Sequence, residues 1–78
     1  MSRVLEQYRD RRERLRFWMG EAERFLERRQ AGDRCPAYLR DLLRRSLTNF
    51  IYTRKYLCGL RRPALERQAV DLLRELIQ

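Results

Sequence analysis

Two glycine-to-proline intervals, Gly32–Pro36 and Gly59–Pro63, are the only places where this chain carries strong backbone punctuation, and they divide it into three stretches. Glycine suits the left-handed residue that ends a helix, and proline suits a first helical turn, where its missing N–H costs no hydrogen bond. Between these corners apolar residues recur at helical spacing and nowhere alternate for long enough to build a strand. The spacing predicts helices over about residues 2–30, 36–57 and 63–77. Ser2 is placed to cap the first, Asp33 to cap the second, and Arg61-Arg62 to link the second to the third. Short links join antiparallel neighbours. The expected architecture is therefore all-α: a long antiparallel helical hairpin with a shorter third helix packed on it, a three-helix bundle.

Seventy-eight residues support one domain, 1–78, with one small core. On helical wheels the apolar face of the first helix collects Val4, Tyr8, Leu15, Trp18, Met19, Ala22, Phe25 and Leu26. That of the second collects Leu39, Leu42, Leu43, Leu47, Phe50, Ile51 and Leu57, and that of the third Leu65, Ala69, Leu72, Leu73 and Leu76. Arg54 falls inside the apolar arc of the second helix and is expected to snorkel at its edge, the alternative being a carboxylate from another helix. So small a core implies marginal stability unless a partner or a second copy adds buried area. The four-residue link leaves the third helix free to fold back on its own hairpin or to reach a second molecule, as in a homodimer.

Charge narrows the partners. Nineteen basic residues face eleven acidic ones, and all the basic residues but Lys55 are arginine. A GC-rich genome explains such a bias; so does a surface built for bidentate contact with carboxylate or phosphate. The excess is local, since residues 32–62 hold eight basic groups against two acidic ones. An acidic or amphipathic helical protein, or a phosphate backbone, is the expected partner. Within Arg9–Arg16, spacings such as Asp10 to Arg14 and Glu13 to Arg16 suggest a solvated, self-paired face.

Several chemistries find no support. Histidine is absent, which removes imidazole metal sites and the commonest general base. Cys35 and Cys58 close no zinc site. They stand at opposite ends of the second helix, about 34 Å apart at 1.5 Å per residue, too far for a disulfide. Both read as reduced core residues, with a reactive Cys35 at a helix start as the alternative. The carboxylates are spaced like helix-surface charge, and Gly20, Gly32 and Gly59 are isolated rather than gathered in a phosphate loop. No catalytic residue, metal ligand or cofactor is expected, and the chain reads as a non-enzyme. No apolar run exceeds three residues, as in Phe17–Met19, so neither a membrane span nor a secretion signal is expected and a cytoplasmic location is.

What remains is surface. Tyr38, Arg45, Tyr52 and Tyr56 fall within about 40° of one another on the second helix, opposite its apolar arc, with Asn49 beside them. Either the third helix packs on this stripe, or it is a binding face. As a protein-binding face it consists of Tyr38, Arg45, Asn49, Tyr52 and Tyr56, joined by Phe17, which stands among charged residues, and its neighbour Trp18. As a nucleic-acid face it consists of Arg34, Arg40, Arg44, Arg45, Tyr52, Lys55, Arg61 and Arg62, with rings for stacking and cations for phosphates. A non-catalytic interaction module (adaptor, chaperone or inhibitor) is the leading expectation and a small basic nucleic-acid binder the second.

The segment from Arg12 to about residue 60, with Gly32, Pro36 and Tyr38 at its turn, resembles the small co-chaperones of type III secretion needle subunits. Those also place a Gly-to-Pro turn and an aromatic between a long helix and a second one. The resemblance implies a hairpin whose apolar face holds a larger helical-repeat chaperone and keeps an aggregation-prone subunit monomeric.

Overall fold

The computed structural model describes residues 3–59 and 61–78, apart from the side chain of Cys58. Three helices follow one another: α1 over Arg3–Arg28, α2 over Ala37–Cys58 and α3 over Ala64–Ile77. They form an up-down-up bundle of 48 × 20 × 16 Å. No strand occurs among the described residues, and no helix there is long and apolar enough to cross a membrane.

Both corners form where glycine permits them. Gly32 has φ 93° and Gly59 φ 59°, left-handed values that a side chain disfavours. α1 ends two residues earlier than its apolar period suggests, because Asp33 clamps the turn: its carboxylate accepts from the Gln30 N–H at 2.8 Å while its own N–H donates to the Gln30 carbonyl at 3.0 Å. Asp33 thus closes the exit of α1 instead of capping α2. Pro36 and Pro63 sit just before α2 and α3 and make no side-chain cap. The Pro36 carbonyl instead accepts from the N–H groups of Leu39 and Arg40, and that of Pro63 from Glu66. The cap assigned to Ser2 lies outside the described residues.

The core draws on all three helices. Leu15, Met19 and Ala22 of α1 meet Leu43, Leu47 and Phe50 of α2 and Ala69 and Leu76 of α3, and Leu15, Leu43 and Phe50 are its largest fully buried side chains. Tyr8 packs on Phe50 with ring centroids 5.3 Å apart, and the Arg12 guanidinium lies over the Tyr8 ring at 5.7 Å. Trp18, Phe25, Leu26, Ile51, Leu65, Leu72 and Leu73 line the rim of this cluster. Leu57 departs from the expected arc and is exposed, one residue from the end of α2.

Arg54 does not snorkel. It is buried, and its Nε and Nη2 donate to the two carboxylate oxygens of Glu66 at 2.9 and 3.1 Å, while Nη1 donates to the Gly59 carbonyl at 2.6 Å. Glu66 is buried as well, so not every carboxylate belongs to a helix surface. The pair joins α2, the second corner and the first turn of α3. It also fixes which side of the hairpin α3 occupies. The C-terminal half of α3 lies beside Arg40, Asp41 and Arg44 through Leu73 and Ile77, away from the tyrosine stripe. The expected self-pairing within Arg9–Arg16 does not form: neither Asp10–Arg14 nor Glu13–Arg16 is an ion pair. The exposed pairs present among the described residues are Glu21–Arg24 at 2.7 Å and Asp41–Arg44 at 3.0 Å.

Candidate protein-interaction face

With 14 residues, α3 is about 21 Å long against about 39 Å for the 26 residues of α1 at 1.5 Å per residue. The first turns of α1 meet the last turns of α2 on a side to which α3 contributes no lining residue. Between them runs a shallow groove of about 280 Å³, lined by Val4, Gln7 and Arg11 from α1 and by Tyr52, Thr53 and Tyr56 from α2. Tyr52 and Tyr56, one helical turn apart, touch edge to face with centroids 5.9 Å apart, yet remain 63% and 70% exposed. The Tyr52 hydroxyl raises the pKa of Tyr56, first through hydrogen bonding and then through charge repulsion. Tyr56 is thus a neutral donor and acceptor at neutral pH.

Arg11 builds the floor. Its Nη1 donates to the Asn49 carbonyl at 3.3 Å and to the Thr53 hydroxyl, and that hydroxyl in turn donates to the Asn49 carbonyl at 3.1 Å. The network ties α1 to α2 and explains why Thr53 is buried. Arg11 was hidden in the basic run Arg9–Arg16. The signal that singles it out is its place on the wheel, on the same side of α1 as Val4, Leu15 and Ala22.

The remaining residues of the expected protein-binding face are dispersed. Arg45 and Asn49 are exposed on α2 between Tyr52 and Tyr38. Tyr38 is 63% exposed but lies 14 positions from Tyr52, about 21 Å along the helix. Phe17 is exposed on the far side of α1 and stacks edge-on against Trp18 at 5.0 Å, while Trp18 itself is half-buried against the core. The structure therefore gathers Tyr52, Tyr56, Asn49 and Arg45 on one side and leaves Phe17 on another.

The basic residues divide as well. Arg34, Arg40 and Arg44 surround the start of α2, where Arg44 is paired with Asp41. Arg40 is half-buried there, with its Nε enclosed and without a hydrogen-bond partner. Lys55, Arg61 and Arg62 are exposed near the opposite end, and Arg45 stands with the tyrosines. No single track joins all of them.

Cys35 is half-buried against the core rim and donates weakly to the Pro36 carbonyl at 3.4 Å. Burial raises its thiol pKa, outweighing the opposing charge and backbone hydrogen bond of Arg40. That direction disfavours the thiolate and so lends the reactive alternative no support. The Cys58 side chain lies outside the described residues. Among the described residues no cluster of three or more acidic or cysteine side chains is placed to hold a metal.

No protein-family model, curated protein or solved structure matches this chain.

Proposed function

We propose that the protein is a non-catalytic helical interaction module, an adaptor, chaperone or inhibitor, that docks an acidic or amphipathic protein on the α1–α2 face around Tyr52 and Tyr56. The observation that carries this reading is the Tyr52–Tyr56 pair itself, two large rings in mutual contact, both mostly exposed and covered by neither α1 nor α3. Tyrosine offers broad apolar area with a polar tip at low conformational cost, and tyrosine and arginine are enriched among residues that dominate binding energy. The resemblance to secretion co-chaperones points the same way.

Purification from the cells that make the protein tests this reading. A protein that accompanies the wild-type chain in fixed proportion and is lost from the Tyr52→Ala/Tyr56→Ala variant supports it. A partner retained by that variant places binding elsewhere. The second reading, a small nucleic-acid binder, is favoured by Arg34, Arg45, Lys55, Arg61 and Arg62, which are exposed and unpaired among the described residues. It predicts affinity for DNA or RNA that falls steeply with salt and is removed by charge reversal at Arg44 and Arg45.

A further inference from the structure

The geometry points to a two-part recognition site at the open end of the hairpin. We infer that the groove between α1 and α2 receives a large apolar side chain of an acidic amphipathic helix, while a carboxylate one turn away on that helix binds the free edge of Arg11. The inference rests on the proposed function and names the partner's chemistry at that same face.

Three observations carry it. Val4 and the rings of Tyr52 and Tyr56 give the groove apolar walls, open to solvent, that fit a side chain rather than a flat surface. Arg11 spends only Nη1 on Asn49 and Thr53. Its Nε and Nη2 have no partner among the described residues, and these are the two parallel N–H groups that grip a carboxylate bidentately. The guanidinium is also held in place by bonds it already makes, so little side-chain freedom remains to be lost on binding. Finally, none of the six lining residues is acidic, and Arg45, on the tyrosine side of α2, adds positive charge without a carboxylate partner among the described residues.

That charge selects the occupant. A second copy using the same face would set Arg11 and Arg45 against their own duplicates, a like-charge contact that opposes association. A helix with an apolar residue and an Asp or Glu three or four positions apart presents both on one side, as this site requires. Nucleic acid would use the cations but leave the apolar walls unfilled.

The test is a display selection of random peptides of about 16 residues, long enough to form helix on contact, against the full chain. Selected peptides are expected to be acidic, to carry a large apolar residue three or four positions from an Asp or Glu, and to bind Arg11→Gln about tenfold or more weakly than wild type. Gln7→Glu, a surface change that sets a competing carboxylate beside Arg11 without removing the α1–α2 network, is expected to weaken the same peptides. Circular dichroism of both variants checks that the bundle is intact. Selection of no peptide, of basic or neutral peptides, or of peptides indifferent to both variants overturns the inference. Peptides that also ignore Tyr52→Ala/Tyr56→Ala overturn the proposed function. Peptides lost from the tyrosine variant but unmoved by Arg11→Gln and Gln7→Glu overturn the inference and leave the proposed function standing.

Discussion

Removing the Glu66 carboxylate should be among the most damaging single changes in this chain. Arg54 and Glu66 expose only 3% and 7% of their side chains and share two charge-assisted hydrogen bonds. In Glu66→Ala the guanidinium stays enclosed with the Gly59 carbonyl as its sole acceptor among the described residues, and breaking such a pair costs about 3–5 kcal/mol. At about 0.05–0.15 kcal/mol per residue, 78 residues hold roughly 4–12 kcal/mol in all, so the loss takes a large share of the total. With about 4–8 °C per kcal/mol for a domain of this size, the melting temperature should fall by roughly 12–40 °C. Urea and thermal unfolding followed by far-UV circular dichroism would read this directly. The effect should change little with ionic strength, because the pair is shielded from solvent. Arg54→Met/Glu66→Leu, which removes both charges and keeps apolar volume, should lie within about 1 kcal/mol of wild type. A Glu66→Ala loss below about 1 kcal/mol, the worth of an exposed ion pair, would refute the reasoning. So would a double variant as unstable as the single one.

Gly32→Ala should destabilise by about 1 kcal/mol, since φ 93° is a left-handed value that an alanine resists although nothing lies within 4 Å of the added carbon. Gly20→Ala should instead stabilise by about 0.5–1 kcal/mol, because the position is mid-helix and the added carbon meets only the flexible Arg24 guanidinium at 3.7 Å. Chemical denaturation of the two variants checks the opposite signs. In a Cys58→Ser background Cys35 should react with a disulfide reagent more slowly at neutral pH than a free thiol does, and the rate should recover on unfolding. A folded thiol pKa above the unfolded one contributes stability that is present below the unfolded pKa and lost as pH rises through the folded one, so the Cys35→Ser difference should shrink in alkali. Thr53→Val should cost about 1 kcal/mol and speed amide exchange in the first turns of α1, because it removes the hydroxyl that holds Arg11.

The helices and corners were legible because glycine, proline and apolar period act locally. Their end points shifted by a residue or two where a side chain intervened, as Asp33 does at Gln30. Arg54 shows where local reasoning ran out. Its place in the apolar arc was plain, yet whether it reached solvent depended on which face of α3 lay opposite. The clue was present: Glu66, Ala69, Leu73 and Leu76 form one stripe at helical spacing, so each of two apposed helices carries one charge inside its apolar stripe. The tyrosine stripe was likewise visible as spacing, but spacing does not say whether a third helix covers it. The buried pair decided that by drawing α3 to the other side. Arg11 was obscured for a different reason, since one arginine among five in eight residues has no distinguishing identity until the wheel is matched to a neighbour.

The buried fork between Arg54 and Glu66 also acts as an axial key. The leucines of α3 would tolerate sliding along the hairpin, because apolar contacts are non-directional. A slip by one turn, about 5.4 Å, would strand an enclosed cation and an enclosed anion out of reach of each other. The key reads position but not ownership: α3 from a neighbouring copy, arriving at the same height, would turn it equally well. Whether the chain closes on itself or exchanges its last helix with a twin therefore falls to the short stretch from Gly59 to Pro63, and lengthening or stiffening that stretch is the lever that would shift the balance.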